Sequence, residues 1–144
     1  MESTSASPRG PGTNRSRTGL AVLQIFIGLG GVAGGWGLAA APDGSNMGMS
    51  ADALAASPFT DFLIPGLVLL AVNGICQLVG SGLTLAVSRI HPEAAIALGT
   101  FLMAWIVAQV AWIGLIHWMQ PLYFGFGAVE AILGMRLRRS VRAA

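Results

Sequence analysis

Charge is what this sequence lacks most. Charged residues make up 10% of its 144 residues, lysine is absent, and cysteine and tyrosine each occur once. An average soluble domain carries about 25% charged residues. Because a water-soluble globule needs a charged surface, this composition excludes an ordinary soluble enzyme and a nucleic-acid-binding module. A chain that is disordered throughout is excluded as well, because such chains are poor in apolar residues. The single cysteine, Cys76, excludes an internal disulfide and lies in an apolar run, which predicts a packing role.

Apolar residues make up 54% of the chain, and they are collected in long runs. Residues 18–42, 62–88 and 94–129 contain no charged side chain. A helix needs roughly 20 apolar residues to cross the hydrocarbon core. The third run is too long for one span, and the segment HWMQP at 117–121 interrupts it. We therefore predict an all-α, integral membrane four-helix bundle with spans at about 20–41, 62–87, 94–118 and 121–137.

The segments outside the spans differ in composition. Residues 1–19 are rich in Ser, Thr, Pro, Gly and Arg, which predicts a disordered tail, and residues 138–144 form a basic tail. Residues 42–61 form the longer, first outer loop, in which Ser50 can cap a short helix. We expect this loop to be a folded lid over the mouth of the bundle. An alternative to the first span is a cleaved signal peptide ending at 39–41, but its apolar run exceeds a typical signal segment.

The few charges predict the orientation of the bundle. With four spans, all eight arginines fall on one side of the membrane, and the loop residues Asp43, Asp52 and Asp61 fall on the other. Arginine-rich segments stay in the cytoplasm, so both termini are predicted to be cytoplasmic. A three-span model would place the C-terminal arginine cluster outside. Together with the composition, this predicts a multi-pass protein of a bacterial inner membrane, with the lipid bilayer as its surroundings.

Each predicted span carries one stripe of small or polar residues at helical spacing, which is typical of helix-packing faces in lipid. The first stripe contains Gln24, Gly28, Gly31 and Gly35. The stripes of the other three spans are Gly66, Asn73, Gln77, Gly80 and Thr84, then Trp105, Gln109 and Trp112, then Gly127, Glu130 and Gly134.

Glu130 is the only acid inside a predicted span, and ionisable residues at that depth are functional candidates. At about 1.5 Å per residue from the outer boundary, Asn73, Gln109 and Glu130 each lie roughly 14–17 Å deep. We therefore expect them to meet in one layer, where burial favours the neutral acid. Glu130 is the candidate catalytic acid or proton carrier. The other interpretation is that the layer is structural and that protonated Glu130 bonds to Gln109 or Asn73.

The remaining candidates are ligand-binding residues. We include in this set Asn73, Gln77, Gln109, Trp105, Trp112 and His117. The two histidines lie at opposite ends of the bundle and cannot share a metal ion. The sequence contains no nucleotide-binding glycine fingerprint and no ligand set for haem, an iron–sulfur cluster or zinc, so we predict no metal and no cofactor.

Two stretches carry a family resemblance. SPFTDFLIPGLVLLAVNG at 57–74, and WIVAQVAWIG with HWMQPLYFGFGAVEAILG between 105 and 134, resemble a group of small bacterial four-span membrane proteins of unassigned activity. The layout is also similar, more loosely, to DoxX-like proteins, which implies a redox- or quinone-linked membrane complex. The second-span acid that DoxX-like proteins often have is replaced here by Asn73 and Gln77.

Two functional hypotheses follow. The first is a non-enzymatic accessory protein, or a bundle that binds a lipophilic ligand or a membrane partner protein. The second is a membrane-embedded enzyme or proton-coupled transporter for a lipophilic substrate, with Glu130 as its acid. The sequence favours the first and leaves open whether the protein forms a homo-oligomer.

Overall fold

A computed structural model of the protein describes residues 10–143 as four long helices. Their bounds are Pro11–Ala40 for α1, Leu63–Leu85 for α2, His91–Ile113 for α3 and Met119–Arg142 for α4. Helix α2 is α-helical at both ends and contains a π-helical segment, Leu69–Cys76, in its middle. Residues 10–143 contain no β-strand, so the predicted all-α class is confirmed.

Helices α1, α2 and α3 are long and apolar enough to cross a membrane. Their outer faces expose large apolar side chains, including Phe26, Leu67 and Val107. Soluble monomers rarely expose apolar patches of this extent, whereas helices in lipid do so everywhere. Cys76 is also exposed on this surface, so its predicted packing role is wrong. The described residues therefore have the long apolar helices and the apolar outer surface of a membrane-embedded protein.

The four helices form a closed ring. Helix α1 contacts α2 and α4, helix α3 contacts α4 and α2, and the other two pairs lie on the diagonals. Neighbours run antiparallel: Gly31 lies against Asn73, and Gly99 lies against Gly127. One end of the bundle, the arginine end, therefore collects the start of α1, the α2–α3 connection and the end of α4. The opposite end, the loop end, carries the long loop and the α3–α4 turn.

Helices α1 and α4 are longer than the sequence analysis predicted. Helix α1 begins at Pro11 instead of residue 20, because Pro11 is a favourable first helical residue after Gly10. The predicted disorder is therefore wrong for residues 11–19, and residues 1–9 lie outside the described chain. Helix α4 continues through the predicted tail to Arg142, where Arg139 and Arg142 in the last turn suit the negative end of the helix dipole.

Helix α3 ends earlier than predicted, at Ile113 instead of residue 118. Gly114 follows it with φ of +78° and ψ of 175°, a conformation that is open essentially to glycine alone and that ends the helix. The buried side chain of Gln120 then holds the turn to α4. Its Oε1 atom accepts hydrogen bonds from the backbone N–H groups of Ile116 and His117, and its Nε2 atom donates to the carbonyl oxygen of Gly114.

The predicted glycine stripe of α1 is confirmed as its contact with α2, since Gln24, Gly28, Gly31 and Gly35 are all buried. A Cβ atom placed on Gly31 would lie 2.2 Å from the backbone oxygen of Asn73. A Cβ on Gly35 would lie 2.4 Å from the backbone nitrogen of Leu70. Only glycine allows the two backbones to approach this closely, as in other small-residue interfaces between membrane helices.

The long loop is folded against the bundle. Ser50 caps the short 3₁₀ helix Ala51–Leu54, as predicted, and its hydroxyl oxygen accepts a hydrogen bond from the Asp52 N–H. Leu54 and Phe62 are buried with Leu38 of α1, and Phe59 packs edge-on against Trp112 of α3 with ring centroids 5.3 Å apart. The loop therefore covers the loop end of the bundle, as the sequence predicted.

The α1–α2 contact yields the first prediction. We expect Gly31→Ala to destabilise the protein by about 1–3 kcal/mol, because the backbone of α2 must move to admit the methyl group. Gly19→Ala in the same helix is the control, since a Cβ there meets nothing within 4 Å. It should be neutral or slightly stabilising through helix propensity. Thermal unfolding in detergent measures both, and equal melting temperatures for the two variants would contradict the close approach.

Candidate functional site

A carboxyl group lies at the centre of the bundle. Glu130 of α4 has no solvent-exposed surface, and both of its carboxyl oxygens accept hydrogen bonds. Gln24 Nε2 of α1 donates to Oε1 at 3.0 Å, and Gln77 Nε2 of α2 donates to Oε2 at 2.8 Å. Because α2 and α4 are diagonal neighbours, the bond to Gln77 crosses the bundle axis. Glu130 thus joins three helices.

A threonine extends this network toward the arginine end. The Thr84 hydroxyl donates to Gln24 Oε1 at 2.9 Å and also lies 3.0 Å from the carbonyl oxygen of Gly80. Gly80 makes room for the amide above it, since a Cβ there would lie 3.2 Å from Gln24 Nε2. We call Gln24, Gln77, Thr84 and Glu130 the polar cluster. All four side chains are fully buried.

The prediction that Asn73, Gln109 and Glu130 contact one another in a single layer is wrong. Glu130 bonds to Gln24 and Gln77, and neither Asn73 nor Gln109 is its partner. These three residues would lie at one depth only if all spans began at one level on the outer side. The helices begin at different levels, so on α2 the residue one turn further toward the arginine end, Gln77, reaches Glu130 in place of Asn73.

The missed partner, Gln24, had a signal in the sequence. Measured from the arginine end, Gln24 lies seven residues after Arg17 and Glu130 lies six residues before Arg136. Counting from the arginines would therefore have placed Gln24 and Glu130 at one depth. The glycine stripe of α1 also contains Gln24, which already predicted that its side chain faces the bundle interior.

Two adjoining cavities lie in the loop half of the bundle. The inner cavity, of about 160 Å³, lies among all four helices, and Asn73 and Ile27 are among its lining residues. The outer cavity, of about 430 Å³, extends beneath the folded loop and is lined in part by Phe62 and Trp112. The two cavities adjoin each other, because six residues line both: Met47, Leu69, Trp105, Gln109, Met119 and Gln120.

This space is apolar with a few polar groups that have no partner. Asn73 is 2% exposed, and both its Nδ2 and Oδ1 atoms are buried without a hydrogen bond. The indole Nε1 of Trp105, a residue that is 9% exposed, is likewise buried without a partner. Buried polar groups nearly always find partners, so unsatisfied ones beside a cavity mark a place where a ligand can supply them.

The structure divides the predicted ligand-binding residues into two groups. Asn73 lines the inner cavity, Trp105 and Gln109 line both cavities, and Trp112 and His117 line the outer one. Gln77 lines neither cavity and belongs to the polar cluster instead. The π-helical segment that contains Asn73 had no signal in the sequence. Such segments occur often at functional sites, because they alter the direction of a side chain within an otherwise regular helix.

The polar cluster is separate from this space, since none of its four residues lines either cavity. Both oxygens of Glu130 are occupied by amide donors, and Glu130 forms no ion pair with any described residue. This geometry leaves no open position for a reacting group at Glu130. It favours the interpretation that the carboxyl group holds α1, α2 and α4 in register.

Comparison with protein-family models, with curated proteins and with solved structures found no match to this chain. The resemblance to small bacterial four-span proteins, and the looser one to DoxX-like proteins, therefore stays a prediction.

The register role of Glu130 predicts opposite results for two substitutions. Glu130→Leu leaves the amides of Gln24 and Gln77 without an acceptor, and we expect a loss of about 2–4 kcal/mol in stability. Glu130→Gln should change stability by less than about 1 kcal/mol. In that variant the Gln77 side chain can turn, so that its unpaired Oε1 accepts from the new amide.

Thermal unfolding of both variants in the same detergent measures the difference. Equal stability of Glu130→Leu and the wild type would contradict the register role. A fully folded Glu130→Gln protein that has lost its cellular function would instead support a proton carrier at Glu130.

Proposed function

We propose that this chain is a four-span protein of a bacterial inner membrane that binds a lipophilic small molecule in the loop half of its bundle. The protein acts as a ligand-binding or accessory membrane protein and carries out no chemistry at Glu130. The observation that supports this most directly is the pair of adjoining cavities, whose apolar walls include Asn73 and Trp105, two residues with unpaired buried polar atoms.

The cavity fits such a ligand in size and lining. Its outer part alone, at about 430 Å³, falls within the range of roughly 300–1,000 Å³ that small-molecule sites occupy. Among the described residues, no Asp, Glu, Arg or Lys lines either part. The walls include Leu38, Phe62 and Ile113, which offer dispersion contacts to a hydrocarbon chain.

We propose that both termini lie in the cytoplasm, and this orientation rests on the separation of charge along the bundle axis. Arg17, Arg89 and Arg136 belong to the arginine end, whereas Asp43 and Asp52 lie in the folded loop. Helix α4 is less apolar than the others because it carries Glu130 and a basic last turn. It nevertheless packs along the whole of α3 and contributes Glu130 to the bundle axis, so we propose that it also spans the membrane.

Cysteine labelling tests the orientation. In a Cys76→Ala background, Asn46→Cys places a thiol in the loop and Ser140→Cys places one at the end of α4. We expect a membrane-impermeant maleimide to label position 46 in intact spheroplasts, and position 140 only after the membrane is opened. Labelling after detergent solubilisation is the control for reactivity. Label at position 140 in intact spheroplasts would overturn the cytoplasmic C-terminus.

Filling the cavity tests the binding proposal. Leu69 lines both parts of the space, whereas Leu67, two residues earlier on the same helix, faces outward and is 48% exposed. We expect native mass spectrometry to show a one-to-one adduct of 1-dodecanol with the wild type and with Leu67→Trp. The adduct should fall at least about tenfold with Leu69→Trp, since the indole occupies the space.

Circular dichroism confirms that both tryptophan variants are folded before they are compared. Failure of the wild type to retain dodecanol, or retention by a folded Leu69→Trp protein, would contradict the proposed site.

A further inference from the structure

We propose that the cavity selects an uncharged lipophilic molecule whose polar head both accepts and donates hydrogen bonds, and that Asn73 and Trp105 bind this head. A primary carboxamide on a hydrocarbon chain is the simplest member of this class. The inference rests on the proposed function, because it specifies the ligand of the same site.

Asn73 requires a head that can donate as well as accept. Its side chain offers an acceptor oxygen and an NH₂ donor, and both are buried without a partner. Its backbone is held close to Gly31 of α1, and neither polar atom is accessible in the ligand-free protein, so the side chain must turn about its own bonds to meet a head group. A head with a single acceptor would leave the Asn73 oxygen unpaired, and an unpaired buried polar group weakens binding.

Trp105 adds a second donor to the same space. The indole N–H only donates, and this one is buried without a partner in a residue that lines both cavities. Its ring packs with Ile27 and Leu102 in the core, which limits its movement. A carbonyl oxygen has two lone pairs and can accept from both Trp105 and Asn73, while an adjacent NH₂ group donates to the Asn73 oxygen.

The surroundings exclude a charged head. Among the described residues, no Asp, Glu, Arg or Lys lines either cavity, and His117 lines the outer one only. An ion moved into this space would lose its hydration without gaining a counter-charge, which is far more costly than burying a neutral amide. The inner cavity, at about 160 Å³, suits a small head, and the outer cavity holds the chain.

The experiment compares four twelve-carbon probes on the full protein by native mass spectrometry: dodecanamide, methyl dodecanoate, dodecane and dodecanoate. We expect the wild type to bind dodecanamide at least about tenfold more tightly than methyl dodecanoate, whose head only accepts. Dodecane and the dodecanoate anion should bind more weakly still.

Two variants assign the preference to its residues. Asn73→Leu is close to isosteric, so it should remove the preference for the amide over the ester and raise the Tm of the ligand-free protein. A merely structural Asn73 would give a lower Tm. Trp105→Phe keeps an aromatic ring and loses the donor, so dodecanamide and methyl dodecanoate should weaken by a similar factor. Trp118→Phe is the matched control, because Trp118 is exposed and lines neither cavity.

The outcomes separate this inference from the proposed function. Equal binding of dodecanamide, methyl dodecanoate and dodecane would overturn the head-group preference and leave lipophilic binding intact. Tightest binding of dodecanoate would overturn the exclusion of charge. No adduct with any of the probes would overturn the proposed function itself. An amide preference that survives in Asn73→Leu would overturn the role of Asn73.

Discussion

The hydrogen bonding of a single carboxyl group sets the arrangement of this bundle. Glu130 has no exposed surface, and a polar group inside an apolar bundle must find its partners within the protein. Gln24 and Gln77 supply one donor to each carboxyl oxygen. Because these donors belong to α1 and α2, the bonds fix the depth and rotation of both helices relative to α4. Glycines at the helix contacts then allow the backbones to come close enough for these bonds to form.

The two halves of the bundle differ in how their polar groups are satisfied. Toward the arginine end, the side chains of the polar cluster bond to one another, and the Oε1 atom of Gln77 is the one side-chain polar atom of the cluster left without a partner. Toward the loop end, Asn73 and Trp105 have buried polar atoms without partners, and a cavity lies beside them. A hydrogen-bonded network stabilises one arrangement of the helices. Buried polar atoms without partners lower the stability of the protein, and a bound molecule can offset this loss by bonding to them. This contrast is why we assign structure to Glu130 and binding to the cavity.

Much of this organisation could be predicted from the sequence, because it depends on periodicity and charge. The four helices, the stripe that faces inward on each, the folded loop and the importance of Glu130 all follow from apolar runs, helical spacing and the rarity of acids. The partners of Glu130 could not be predicted, because depth along separate helices is set by tilt and by the level at which each helix begins. The π-helical segment around Asn73 and the cavity depend on packing among distant segments, which local sequence does not encode. The end of α3 at Gly114 did have a local signal that was missed.

The central claim is that the cavity binds a neutral polar head through Trp105 and Asn73. The indole N–H signals of the four tryptophans, in ¹⁵N-labelled protein in nanodiscs, test it most directly. Our account predicts that saturating dodecanamide moves the Trp105 indole signal downfield, as expected for a new hydrogen bond, and leaves the exposed Trp36 and Trp118 signals in place. An unchanged Trp105 signal, or equal shifts of all four signals, would contradict it.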